Sequence, residues 1–362
     1  MGRPWARDTL APVQSPAPVP LSVLVVTWNC RTAVTQTLAA LATQLQPGDQ
    51  LVVVDNASTD GTADAVADVV PGATVLRNAE NVGFAPACNQ AAEAARGDLL
   101  LLLNPDATPA PGLCDAIRRP FGDGRGWAAW MGLVTAGGGR TINTSGGAIH
   151  FTGIAWADES GEPASQVSRP REVPFASGAC MAVPRATWLA QGGFSPEFFM
   201  YHEDVDLSLR LRLGGGRIGL EPDARVDHEY EFHKGPAKWR MLERNRWATI
   251  IRTYPGALLA LLAPALLATE LALMAVSLGA GWGPQKARAY ADTFRALPRL
   301  LRERRRIQST RQVSAAQFAE VFTPRLSSAY LGRAASSKPL HALLWIYWAA
   351  VRAVLRASST RR

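Results

Sequence analysis

Apolar and polar positions along the chain fall into two alternating regimes. Short β-branched or leucine runs close on polar residues, and segments with helical spacing separate them. The first run is "LSVLVVTWN", Leu21 to Asn29. It is continuously apolar, as a strand covered on both faces must be. A helical pattern follows from about Thr32 to Leu45, then "DQLVVVDNASTDGT", Asp49 to Thr62, a second strand ending in a polar loop. A helix over about Asp64 to Val69, a strand over Ala73 to Asn78 and a helix over about Pro86 to Ala95 come next. "GDLLLLLNPDA", Gly97 to Ala107, is the fourth predicted strand. This alternation predicts an α/β fold, a mostly parallel sheet with helices on both faces. From Phe121 to Pro174 the chain is Gly-rich and irregular, which predicts long loops or a small antiparallel extension, with a strand-like piece at Ala148 to Ile154. "FASGACMAVPR", Phe175 to Arg185, predicts one more strand.

Sheets of this class bind ligands at the carboxyl ends of their strands. Polar residues gather there. Thr27, Trp28 and Asn29 end the first strand, Asp55, Asn56, Ser58 and Asp60 the second, and Asn104, Pro105 and Asp106 the fourth. Asp55 could accept hydrogen bonds from a base or ribose, or cap its own loop as an Asx-turn. Asp106 could hold a divalent cation through oxygen ligands, with a diphosphate completing the shell, or sit in a plain Pro-Asp turn.

A second polar concentration precedes a buried-looking element. Glu197, His202, Glu203, Asp204 and Asp206 lie within ten residues, ahead of an apolar, arginine-bearing run that stops at Gly214. Alternation at Val205, Leu207, Leu209, Leu211 and Leu213 fits a strand, whereas acids first, arginines later and a glycine stop fit a helix. Either element puts Glu203 and Asp204 at its start, at a mouth rather than in a core, where a carboxylate could act as general base or merely cap a helix. Further on, His228, His233 and Lys234 lie close together; an imidazole there could bind a metal and the lysine face a phosphate, or His228 could be a structural histidine.

Composition narrows the class. The chain has 362 residues, 48% of them apolar, enough for one large α/β domain and an appendage. The net charge of +8 is concentrated late: nine Lys or Arg stand against Asp292 and Glu303 between Lys286 and Arg311. That run has little aromatic interleaving and no zinc or helix-turn-helix spacing, so no nucleic-acid partner is expected. Cys30, Cys88, Cys114 and Cys180 form no CxxC pair and fit a reducing compartment. No apolar stretch follows Arg3 and Arg7, so a secretory leader is not expected, and residues 1–20 read as a disordered lead-in.

Six stretches occur in order: "VVTWN", "VVVDNASTDGT", "RNAENVGFAPACNQAA", "GDLLLLLNPDA", "SGACMAVPR" and "GGFSPEFFMYHEDVDLSLRLRLGG". Together they make residues 21–254 resemble the family 2 inverting glycosyltransferases, in particular their bacterial rhamnosyltransferase-like branch. The resemblance implies a GT-A fold, a Rossmann-like sheet, and a nucleotide-diphosphate-sugar donor, dTDP-rhamnose or a UDP-sugar. It implies that Thr27, Asn29, Asn78, Asn81, Gly83 and Asn104 line the nucleotide site and that Asp55 reads the base. Asp106 then matches the metal-binding acid of the DXD motif, here Asn104-Pro105-Asp106, and His228 the late histidine that completes a Mg2+ or Mn2+ site. Asp204 matches the catalytic base, with Glu203 beside it, and the family has a helix after these acids.

The tail, residues 255–362, carries an apolar run from Gly256 to Trp282, long enough to cross a bilayer but with Glu270 near its middle. A nucleotide-sugar enzyme and the basic run after Lys286 both belong on the cytoplasmic side, which one crossing cannot satisfy. The expectation is therefore helices that are interfacial or re-entrant on an anionic membrane surface, with "LHALLWIYWAAVRAVL", Leu340 to Leu355, as a second one. The alternative is a soluble helical appendage packed on the core or a second subunit. A membrane-surface transferase implies an acceptor glycan on a polyprenyl diphosphate. Two other functions compete. A nucleotidyltransferase needs a Gly-rich basic loop after the first strand, where this chain has "TWNCRTAVTQT". An inactive membrane-bound assembly partner has no need of Asp55, Asp106 and Asp204 together.

Overall fold

In a computed structural model, which describes residues 18–229, 235, 237–326 and 337–359, the chain forms a mixed α/β sheet with flanking helices and a helical C-terminal region. Residues 1–17 of the lead-in, and His233 and Lys234, lie outside the described residues. The first half runs β1 (Leu21–Thr27), α1 (Arg31–Ala42), β2 (Gln50–Asp55), α2 (Thr62–Val69), β3 (Thr74–Arg77), α3 (Phe84–Ala94) and β4 (Leu99–Leu103). These four strands are parallel, in spatial order β4-β1-β2-β3. Right-handed crossovers put α1 and α2 on one face, and α3, which returns the chain past β2 and β1, on the other. All seven residues of β1 and all five leucines of β4 are buried, which is why both read as unbroken apolar runs. Each such leucine contributes about 1.5–3 kcal/mol by leaving water.

The chain then forms β5 (Ala107–Pro109), α4 (Leu113–Arg118), β6 (Trp127–Ala136), β7 (Thr141–Thr144), β8 (Gly147–Ile149), β9 (Ala155–Ala157), β10 (Arg171–Glu172) and β11 (Cys180–Pro184). After α5 (Arg185–Gln191) and α6 (Glu203–Leu213) comes the long β12 (Arg217–His228). The main sheet runs β10-β12-β6-β11-β4-β1-β2-β3, with β5 paired to β12 and β7 to β6.

Two expectations are corrected here. Residues 121–174 are not loops and a small extension alone, because β6 is a ten-residue strand inside the main sheet, parallel to β12 and antiparallel to β11. Its glycine and alanine content hid it, and packing explains that content: a Cβ on Gly132 would lie 2.4 Å from the Ala224 carbonyl oxygen. The fourth strand ends at Leu103 rather than Ala107. Asn104, Pro105 and Asp106 turn the chain, and Ala107–Pro109 pairs antiparallel with β12. Pro105 has no N–H to give to a ladder at that point.

The C-terminal region consists of α7 (Ala237–Thr253), α8 (Gly256–Gly279), α9 (Gly283–Ser309), α10 (Ala315–Ala319) and α11 (Lys338–Ser359). α8 and α11 are long and apolar enough to cross a membrane by length and composition. A buried charge cluster joins the first three helices. Arg246 of α7 donates to Glu243 at 3.0 Å and to Glu270 of α8, and Lys286 of α9, fully buried, donates to Glu243 at 2.6 Å and Glu270 at 3.0 Å. The acid in the middle of the apolar run is thus the partner of two buried cations. Burial alone would raise the Glu270 carboxyl, but Arg246, Tyr290 and Lys286 hold it down to about 2.

Candidate functional site

The strand order reverses between β1 and β4, so their carboxyl ends open a crevice. On the β1 side, Asp55 is 3% exposed and accepts hydrogen bonds from the Thr27 hydroxyl at 2.8 Å and from the Ser58 hydroxyl and N–H at 2.6 and 2.9 Å. Part of this carboxylate therefore does what an Asx-type cap does. Since a carboxylate offers about four lone-pair sites, one remains for a ligand donor. Asn29, at φ 47°, accepts from the Thr59 N–H at 2.8 Å and ties the two loops together. Trp28 stands beside it, 57% exposed.

Asn78, Asn81 and Gly83 shape the neighbouring loop. The Asn78 amide donates to Asn56 at 2.8 Å and Gln90 at 2.9 Å, the Asn56 amide donates to the Gly83 carbonyl at 3.2 Å, and Asn81 accepts from the Gly83 N–H at 2.9 Å. Gly83 has φ 96°, and a Cβ there would lie 2.5 Å from the Phe199 ring, so only glycine lets the two segments meet. The Ala85 N–H then donates to the Phe199 carbonyl at 3.0 Å. These three residues thus join the loop after β3 to the segment that leads into α6.

On the β4 side, the Asn104 N–H donates to the Ala179 carbonyl at 3.0 Å, and the N–H of the preceding residue, Gly178, donates to Asp204 Oδ2 at 3.2 Å. The turn carrying Asp106 and the helix carrying Asp204 are thereby held to the same short stretch. Asp106 is exposed toward solvent, and buried His228, at the end of β12, lies with Nε2 3.1 Å from its Oδ1. The His228 carbonyl accepts from the Asn143 amide at 2.8 Å. No group of three His, Cys, Asp or Glu side chains gathers as a metal cage among the described residues. An imidazole and one carboxylate fit a divalent cation whose remaining ligands come from a diphosphate and water. Burial pushes the Cys30 thiol up to about 11, against a backbone hydrogen bond at Trp28 that lowers it, with smaller upward contributions from the Asp106, Asp60 and Asp55 charges.

The acids before α6 separate into distinct roles. Asp204, half-buried, faces Gly178 and also accepts from the Val205 N–H at 2.8 Å; burial raises its carboxyl. Glu203 is not at a mouth, as the sequence suggested. It is 6% exposed, its Oε2 has no hydrogen-bond partner, and burial followed by the Asp204 charge raises it well above the carboxylate range. Asp206, fully buried, pairs with Arg210 at 2.8 Å and Arg252 at 2.7 Å, and Glu197 pairs with Arg299 at 2.8 Å. The helical charge order was therefore the right reading of this stretch, and two of its acids are structural.

The approach to α6 is strained. Phe199, Tyr201 and His202 all have positive φ, 59°, 72° and 67°. Sequence reasoning missed what holds them. Asn245, 1% exposed in α7, donates its amide to the carbonyls of Phe198, Met200 and Tyr201 at 3.0, 2.9 and 2.7 Å. The signal available was weak, a lone asparagine among arginines in a helix. Burial, assisted by the Arg246 charge, lowers the His202 imidazole to about 4, and this residue stands at the N-cap position of α6 without a side-chain cap hydrogen bond.

Residues 22–187 match the family model described as glycosyl transferase family 2, a range that stops short of Asp204 and His228. The chain is 29% identical over 243 residues to the N-acetylglucosaminyl-diphospho-decaprenol L-rhamnosyltransferase of Mycobacterium tuberculosis (strain H37Rv), covering 59% of this chain and 78% of that protein. It is 28% identical over 109 residues to a putative glycosyltransferase, EpsH, of Bacillus subtilis (strain 168), covering 28% of this chain and 30% of that one. Among solved structures, S. aureus TarS 1–349 in complex with UDP superposes with a TM-score of 0.52 at 18% identity, covering 94% of this chain and 92% of that one. GalNAc-T7 with UDP, GalNAc and Mn2+ superposes with a TM-score of 0.56 at 16% identity over 68% of this chain, which spans about half, 51%, of that one. At such identities these structures speak to the fold, and the fold is GT-A.

Proposed function

We infer that this chain, a glycosyltransferase with a family 2 domain in its first half, moves a deoxyhexose, rhamnose, from dTDP-rhamnose to a hydroxyl of a glycan carried on a polyprenyl diphosphate. The reaction takes place at the cytoplasmic face of a membrane, and the product feeds cell-wall or surface polysaccharide. The observation that carries this reading is the joint attachment of the Asp106 turn and of Asp204 to Ala179 and Gly178. A leaving-group site and a base are needed side by side for a one-step displacement.

In this reading Asp55 takes a donor N–H of the base with its remaining acceptor site, while Thr27, Asn29, Asn78, Asn81, Gly83 and Asn104 form the walls that hold the nucleotide. Asp106 and His228 hold Mg2+ or Mn2+, which when bound neutralises the diphosphate leaving group. Asp204 accepts the proton of the acceptor hydroxyl as its oxygen bonds to the anomeric carbon and the carbon–phosphate-oxygen bond breaks. A single displacement inverts the configuration. A carboxyl raised by burial suits that task, because a stronger base accepts the proton more readily. Glu203, buried behind it, has its carboxyl raised by burial and by the Asp204 charge, which disfavours a second negative charge on the base's side.

Donor binding tests the reading. A ligand that binds only the folded state raises its stability by mass action. A thermal shift with dTDP-rhamnose that deepens with Mn2+ is expected; a shift with UDP-sugars alone discards rhamnose and keeps the mechanism. Asp204→Asn is expected to keep the donor-induced shift and to lose transfer by at least about 10²-fold, the usual scale of general base catalysis. Near-normal turnover in that variant would overturn the assignment of the base.

A further inference from the structure

The surface of α8 that faces away from the protein carries no exposed polar side chain over 24 residues. It presents small residues with Leu267, Leu271 and Leu278, which are 63%, 66% and 68% exposed. A helix facing water alternates charged residues onto that side. α11 continues the same surface. Its Tyr347 hydroxyl donates to the Leu261 carbonyl of α8 at 2.5 Å, and Leu343, Trp345 and Ile346 are 64%, 50% and 70% exposed. Contiguous exposure on this scale marks a surface meant to be covered.

Three features argue that α8 lies along the body rather than crossing a bilayer. Its first residue follows Thr253 of α7 after two residues, and Trp282, just past its last turn, stacks on Trp239 near the start of α7 with ring centroids 4.9 Å apart. Midway, Glu270 is bound to Arg246 and Lys286. A helix about 36 Å long at 1.5 Å per residue thus lies flat along the catalytic body. Turning it across a membrane would strand two buried cations in low dielectric.

Where α8 begins, a cavity of about 400 Å3 is lined by Gly256, Leu301, Arg304, Arg305, Gln308 and Arg311. No acid lines it. Arg304 is fixed in place, donating to the Ile251 and Tyr254 carbonyls at 2.6 and 2.7 Å, while Arg305 and Arg311 are exposed. Gly256 belongs both to this cavity and to the apolar helix. Resting on the membrane reading above, we propose that α8 and α11 form one apolar face that seats in the plane of the membrane, and that the Arg304–Arg305–Arg311 cavity takes the phosphate of an anionic lipid headgroup. Charge complementarity selects this occupant. A second copy on the same face would bring an identical cationic rim against the first, whereas anionic headgroups neutralise it.

The test is flotation of the full chain with vesicles of phosphatidylcholine alone and with added phosphatidylglycerol, in parallel with transfer to a water-soluble short-chain diphosphate-linked acceptor. The wild type is expected to float with the anionic vesicles. Arg305→Glu with Arg311→Glu is expected to weaken that binding at least about tenfold, since each cation near an anionic surface matters on the order of 1 kcal/mol. Leu267→Glu with Leu271→Glu is expected to abolish flotation, and both double variants should keep short-chain transfer. Unchanged binding by the arginine variant overturns the headgroup cavity. A wild type that stays off vesicles and instead forms a stable dimer, dispersed by the leucine variant, overturns the membrane face and leaves the transferase reading intact. Loss of short-chain transfer in the wild type would be a failure of that reading alone.

Discussion

Asn245→Ala tests how the fold holds the proposed base. The side chain has two N–H hydrogens for three carbonyls, so one hydrogen is shared. After the substitution Phe198 keeps a donor, the Arg244 guanidinium at 2.9 Å, whereas Met200 and Tyr201 each lose the Asn245 amide. An orphaned buried acceptor costs about 1–3 kcal/mol, and these two half-buried carbonyls can partly turn to water, so the low end applies to each. The loop also stores about 1 kcal/mol or more at each of its three positive-φ residues, and the clamp is what makes that conformation the stable one. A loss of about 2 kcal/mol in favour of the native loop corresponds to roughly 30-fold in the competent population. The expected result is a kcat lowered about 10- to 30-fold, with the donor-induced thermal shift retained, because Asp55 and Asp106 sit on other elements. Transfer kinetics should be read beside Leu41→Ala, a fully buried change in α1 expected to cost about 2–5 kcal/mol without touching the loop. If Asn245→Ala keeps full kcat at a temperature where it is folded, or if Leu41→Ala loses kcat equally, the clamp does not position the base.

Asp106→Ala should remove the part of the donor-induced thermal shift that depends on Mn2+ and leave the metal-independent part; an undiminished Mn2+ effect would mean the cation sits elsewhere. Glu270→Gln leaves Arg246 and Lys286 with one carboxylate and should cost about 3 kcal/mol in chemical denaturation, as breaking a buried pair does. Adding Lys286→Met should recover part of that loss, and strict additivity would show that the cluster is not coupled. His150 is 1% exposed and held at about 3 by burial and the Arg246 charge. Its unfolded form takes up a proton below about 6.5 that the folded form refuses, so stability falls as pH drops from 6.5 toward 3. By pH 5 the loss from this group is at most about 2 kcal/mol. Burial raises Glu203 and Asp204, which oppose this trend, so the comparison is between the wild type and His150→Asn, whose acid limb should be flatter; identical pH slopes would refute the assignment.

The sequence by itself determined the parallel half of the sheet. β1, β2 and β4 are covered on both faces, and double burial writes itself as an unbroken apolar run whatever the partner strand is. It also determined which polar residues end those strands, because the carboxyl end of a parallel strand is a local property, and it carried enough motif order to point to the family. The helix at Glu203 was legible in its charge order, although not in its apolar alternation, since all but Asp204 and Arg212 along it are buried and burial on every side erases periodicity. Tertiary structure decided the rest. β6 is a strand because β12 and β11 flank it, not because its glycine and three alanines favour one. Asp206 and Glu203, alike in sequence to Asp204, were divided by what lies opposite them: two arginines for one, a closed interior for another, the Gly178 N–H for the third. Glu270 looked like a flaw in an apolar helix until Arg246 and Lys286, 24 and 16 residues away, proved to face it. In each case the deciding energy is a contact between distant positions, and such contacts exist only once the chain has closed on itself.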